Sequence, residues 1–89
     1  ETVNKELTSI ELYPNPAKGI VTLEFVNIKQ GNYLTEVVDI TGRSVIRKEV
    51  NIDRDNMIFS LDMRDNPVGV YLVKISGNNF SKYKRLILK

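Results

Sequence analysis

Apolar and polar residues alternate with a period of two along much of this chain. Val21, Leu23 and Phe25 alternate with Thr22 and Glu24. Met57, Phe59 and Leu61 share one face of a second such stretch, and Tyr71, Val73 and Ile75 share one face of a third, with Val70, Leu72 and Lys74 on the other. Successive side chains of a strand point to opposite faces, so this pattern predicts half-buried strands. Ser9–Tyr13 predicts a short strand ahead of them. Tyr33–Ile40 predicts another, whose inward face is ambiguous because Val37 and Val38 are adjacent, and Ser44–Val50 pairs back on it. The last eleven residues, Asn79 to Lys89, run basic and then apolar, with Leu86 and Leu88 on one side and Ile87 on the other. No ten-residue window carries a 3.6-residue apolar stripe.

The segments between these stretches have the chemistry of turns. Pro14-Asn15-Pro16 breaks the first strand, because proline fixes φ and lacks the backbone donor a ladder needs, and Ala17-Lys18-Gly19 continues the turn. Thr41-Gly42 predicts a tight hairpin with Gly42 at a positive φ. Gly77-Asn78-Asn79 joins the last two strands, and Asp62–Pro67 crosses over with one short helical turn. Seven short strands with turn signals every 8–12 residues or so predict an all-β fold, a seven-stranded immunoglobulin-like antiparallel β-sandwich. Residues 1–8 are polar and aperiodic and are expected to be a linker to an upstream cargo. Residues 9–89 then form one domain, a size that buries enough surface to fold alone.

Composition narrows the chemistry. The chain has no Cys and no His, so thiolate metal sites, disulfides and the usual nucleophile–base pairs cannot be built. Glu36 with Asp39, or Asp62 with Asp65, could in principle serve as paired carboxylates, but such a pair needs a cleft that a small sandwich has little room for. Capping and solvated faces are the expected roles, and catalysis and cofactors are not expected. Asn51, Asp53 and Asp55 have the odd-position spacing of a calcium loop, yet Asn56 stands where that loop has glycine and Met57-Ile58-Phe59 where ligands should continue. A polar hairpin loop is the expectation. The four tyrosines, Tyr13, Tyr33, Tyr71 and Tyr83, are expected to pack in the core with hydroxyls at the rim.

The formal net charge is +2, but Lys82, Lys84, Arg85 and Lys89 crowd the last eight residues with no acid among them. Single-strand binders interleave aromatics with such a run over a whole face, and here only Tyr83 does so; nucleic acid is therefore not an expected partner. Lysines on an edge strand also discourage edge-to-edge pairing. The terminal apolar side chains must be buried or bound, so the last strand either closes a sheet or is read by a partner.

Four segments occur in one order: Leu12-Tyr13-Pro14-Asn15-Pro16 with Gly19; Val38-Asp39-Ile40-Thr41-Gly42-Arg43-Ser44-Val45; Gly69-Val70-Tyr71-Leu72-Val73-Lys74-Ile75; and Lys84-Arg85-Leu86-Ile87-Leu88-Lys89. Together they resemble the type A C-terminal sorting domain of the type IX secretion system, found on exported proteins of Bacteroidetes. The resemblance covers residue 9 to the end. It departs from the family pattern at Val38, where an aromatic is common, and at Arg85, where Lys is commoner.

The resemblance implies a secretion signal that directs a covalently fused N-terminal cargo through the periplasm to the cell surface or the medium. It implies as partners an outer-membrane translocon, its shuttle protein and, in many members, a sortase-like cysteine peptidase that removes the domain. By this resemblance Arg85, Leu86, Ile87, Leu88 and Lys89 form the segment the translocon recognises. Pro14, Asn15, Pro16, Gly19, Asp39, Gly42, Gly69, Tyr71 and Lys74 are motif positions with structural roles. An extended 85–89 segment could be read by strand addition to a partner. Two other readings stand beside it: a fibronectin-like or carbohydrate-binding accessory module of a secreted enzyme, and a homodimer formed by swapping the terminal strand.

Overall fold

Among the described residues the alternation is realised as seven strands and no helix. A computed structural model describes residues 8–77 and 79–89. The strands are β1 (Ser9–Tyr13), β2 (Ile20–Val26), β3 (Gly31–Val38), β4 (Ser44–Ile52), β5 (Met57–Asp62), β6 (Gly69–Gly77) and β7 (Phe80–Leu88). They form two antiparallel sheets, ordered β1-β2-β5 and β4-β3-β6-β7. The two inner faces pack together, and the buried residues are those that the period-two pattern places inward: Val21, Leu23 and Phe25 on β2, Tyr71, Val73 and Ile75 on β6, and Leu86 and Leu88 on β7. Phe25 meets Phe59 edge to face across the β2–β5 pair, with ring centroids 5.7 Å apart.

The face of β3 that the sequence leaves ambiguous is settled by register. Tyr33, Thr35 and Val37 point inward, and the register slips between Val37 and Val38 opposite β4. The period-two alternation of β3 runs on through both valines, Val37 in the core and Val38 on the outer face, and the slip falls on β4, where Val45 is the extra residue. A constant-type immunoglobulin domain places its fourth strand beside the fifth. Here β4 stays beside β3, because the five-residue reversal Asp39–Arg43 leaves it no path to the other sheet.

Tyr71 carries a further mark of this architecture. Near the start of β6 its hydroxyl donates back to the Pro67 carbonyl, four residues upstream. This is the tyrosine corner that braces the matching strand of immunoglobulin-like sandwiches. Tyr33 is likewise buried, with its hydroxyl on the Lys29 carbonyl at 2.6 Å. Tyr13 and Tyr83 differ from the core expectation, being 43% and 55% exposed. Register puts both on the outer face of their sheets, Tyr13 beside Thr22 and Tyr83 beside Lys74, so Tyr13 donates to Glu24 and Tyr83 lies under the Lys74 ammonium.

The expected helical turn at Asp62–Pro67 is absent. The Asp62 carboxylate accepts from the Arg64 amide and guanidinium, and the Asn66 amide donates to the Met63 carbonyl, which makes a β-turn instead. Residues 1–7 of the expected linker, and Asn78 of the last hairpin, lie outside the described residues. The last residue of that linker, Thr8, donates its hydroxyl to the Asn27 carbonyl.

Candidate functional site: the clasped terminal strand

Segments far apart in the chain meet at one end of the four-stranded sheet. After β1 the chain kinks at Pro14-Asn15-Pro16, where both X-Pro bonds are cis, and crosses toward β7. Ala17, fully buried, then pairs in parallel with Leu88. Its amide donates to the Ile87 carbonyl at 2.8 Å, and its carbonyl accepts the Lys89 amide at 2.8 Å. One step earlier, Asn15 does with its side chain what a strand does with its backbone. The Asn15 amide nitrogen donates to the Arg85 carbonyl at 2.8 Å, and its oxygen accepts the Ile87 amide at 3.0 Å. Four hydrogen bonds thus clasp the outer edge of β7 from Arg85 to Lys89.

This arrangement explains the Pro-Asn-Pro chemistry. The flanking prolines have no amide to offer a ladder, so the one polar side chain between them supplies the pairing. Gly19 closes the crossover, its carbonyl accepting the Met63 amide at 2.9 Å. The terminal strand is therefore docked. Leu86 and Leu88 are core residues, and Arg85 and Lys89 are exposed with Ile87 half-buried between them. Strand addition along residues 85–89 would need an edge that Asn15 and Ala17 already occupy.

The remaining motif positions border the same region. Asp39 anchors the β3–β4 hairpin: its carboxylate accepts from the Thr41 hydroxyl, the Thr41 amide and the Arg43 amide, with the Arg43 guanidinium 3.3 Å away. The Thr41 hydroxyl is the main cause, with the two amides and Arg43 behind it, that holds this carboxyl below the usual Asp range. Gly42 closes the turn at φ 89°, a conformation that costs a side-chain-bearing residue about 1–2 kcal/mol. Gly69 enters β6 at φ 150°, with open space where a Cβ would sit, so backbone conformation and not crowding explains glycine there. Asp39, Gly42, Tyr71 and Arg85 all line one shallow depression of about 320 Å³. Asp39, Gly69 and Tyr71 line a second, of about 200 Å³, on the other side of Ile40. Lys74 lies outside this cluster, one row along β6, opposite Glu36 and Tyr83.

Four participants go unnoticed from sequence. Ala17 gives no signal, being a small residue in a turn. Val70 and Leu72 carry one, since they make β6 apolar on both faces. Ile40 carries a stronger one, as an isoleucine in the middle of an Asp-x-x-Gly turn that ends 83% exposed.

Of the carboxylates weighed for chemistry, Asp39 is held within its own turn and two others meet arginines. Glu36 pairs with Arg47 at 3.3 Å, and Asp62 lies 2.8 Å from Arg64, which is the main cause lowering its pKa to about 2. Asn51, the first position of the calcium-like spacing, sits within β4 and donates to Asn32. Among the described residues no group of three or more Asp, Glu, His or Cys side chains is placed to hold a metal ion.

Compared with known proteins, residues 11–89 match the family model described as a secretion system C-terminal sorting domain. No curated protein matches the chain significantly.

Proposed function

Because this chain belongs to the family of secretion system C-terminal sorting domains and is a signal for type IX secretion, we propose that it is read as a folded surface and not as a loose peptide. The family role means export of a fused cargo to the cell surface or extracellular space by the type IX machinery. Within that role, an outer-membrane translocon and its shuttle protein recognise the exposed side chains of Arg85, Ile87 and Lys89 during periplasmic transit. Leu86 and Leu88 act from the core by holding that strand in place. A sortase-like peptidase then cuts ahead of the sandwich. The domain works by being bound and not by catalysis, a reading supported by the lack of His and Cys and by the engaged carboxylates.

The observation that carries this reading is the clasp: segments 14–17, 39–42, 69–71 and 85–89 converge around the terminal strand. It also changes the experiment. Deleting 86–89 removes two buried leucines, so lost export would report unfolding as readily as lost recognition. The informative variant is Arg85→Glu with Lys89→Glu, which leaves the core intact. Fused behind a reporter in a bacterium with the type IX machinery, it should fold normally and strand the cargo in the periplasm. Normal surface delivery of this folded double variant would refute direct reading of the segment.

A further inference from the structure

The outer face of the four-stranded sheet changes character along its length. Away from the clasp it is laced with charge: Arg47 pairs with Glu36, and the Lys74 ammonium lies 5.7 Å from the Tyr83 ring centroid. Toward the Asp39–Gly42 hairpin it turns apolar. Val38 lies opposite Leu72, and Leu72 opposite Arg85; in the next row Val70 lies opposite Ile87. Ile40 and Val68 overhang from the neighbouring loops. Of the eight exposed large hydrophobics among the described residues, Ile40, Val68, Val70 and Leu72 gather here, and the other four lie apart on other strands. Scattered apolar residues are normal on a surface, but a contiguous patch marks an interaction site.

We propose that the depression between the hairpin and β6–β7 is a docking groove for an apolar side chain of an export-machinery protein, flanked by carboxylates that meet Arg85. This deepens the sorting role and rests on it. Two features select the partner. The first is charge. β7 brings Arg85 and Lys89 to this face, on the same side as Ile87, and carries no acid. The nearby acids are neutralised locally, Asp39 within its own turn and Glu36 by Arg47. The surplus positive charge therefore seeks an acidic partner, and a second copy would set two basic edges together. The second feature is shape. The groove is concave, about 320 Å³, with Val38, Ile40, Val70 and Leu72 as its apolar walls. It accepts a protruding anchor, whereas a bilayer surface needs a protruding wedge.

The test uses the reporter fusion with Leu72→Glu, Ile40→Glu, Arg85→Glu and Arg85→Lys, each checked for a cooperative thermal transition. Ile58→Glu, on the exposed face of the other sheet, is the control. The expected result is delivery reduced by roughly tenfold or more for the three Glu variants in the groove, near normal for Arg85→Lys and unchanged for Ile58→Glu. Delivery of folded Leu72→Glu and Ile40→Glu at the unmodified level overturns the groove while leaving the sorting role standing. Failure of the unmodified fusion to be delivered overturns the sorting role itself. Binding of the purified domain to phosphatidylglycerol vesicles, or a concentration-dependent dimer on sizing, either one abolished by Leu72→Glu, overturns the choice of a protein partner.

Discussion

Replacing Asn15 by alanine isolates the clasp. The substitution removes two hydrogen bonds to β7, one to the Arg85 carbonyl and one from the Ile87 amide, and leaves every core side chain in place. A net intramolecular hydrogen bond contributes about 0.5–1.5 kcal/mol. Both groups can turn to water once released, since Asn15 is exposed, so no buried desolvation penalty is added and the lower half of that range applies. The expected loss is about 1–2 kcal/mol for the pair, or roughly 4–16 °C in melting temperature for a domain of this size. Urea unfolding gives the energy, and amide hydrogen exchange locates it. Protection should fall at Ile87 and then at Lys89, whose amide depends on Ala17 one step along. Asn15→Asp keeps an acceptor for Ile87 and loses the donor to Arg85, so its loss should be at least half as large. An unchanged melting temperature together with unchanged exchange at Ile87 in Asn15→Ala would refute the idea that this side chain holds the terminal strand.

Thr35 is fully buried in the centre of β3 and its hydroxyl has no hydrogen-bond partner among the described residues, so Thr35→Val should stabilise the domain by about 1–3 kcal/mol in urea unfolding. Tyr71→Phe removes the hydroxyl of the corner and should cost about 0.5–1.5 kcal/mol by the same assay, with β6 still formed by circular dichroism. Gly42→Ala has open space for its methyl but keeps φ at 89°, so it should cost about 1–2 kcal/mol from backbone conformation alone. Asp39 and Asp62 titrate below the ordinary value of 3.8, Asp62 at about 2. Depressed carboxylates contribute stability that is complete above their unfolded pKa and lost as pH falls through the folded one. With no histidine in the chain, the urea midpoint should stay level from about pH 5 to 8 and fall between about pH 4 and 2; a midpoint that rises on acidification would contradict the assigned partners.

Period-two alternation is a local property, which is why the strands and the buried faces of β2, β6 and β7 are legible in the chain. The Pro-Asn-Pro break, the Gly42 turn and the pairing of β3 with β4 are equally local, each set by residues a few positions apart. Tertiary structure alone decides what is made over long separations. It sets β5 beside β2 and β6 beside β3. It leaves Tyr13 and Tyr83 outside the core, because register puts both on the outer faces of their sheets. It also turns Asn15 into a ladder partner for residues 70 and 72 positions away. No periodicity encodes that contact, since it depends on where two sheets meet once the core has closed. Leu86, Ile87 and Leu88, read along the chain, already require that the last strand be buried or bound. The fold decided how the two were shared: the leucines fill the core, and Arg85, Ile87 and Lys89 are held outward for a partner.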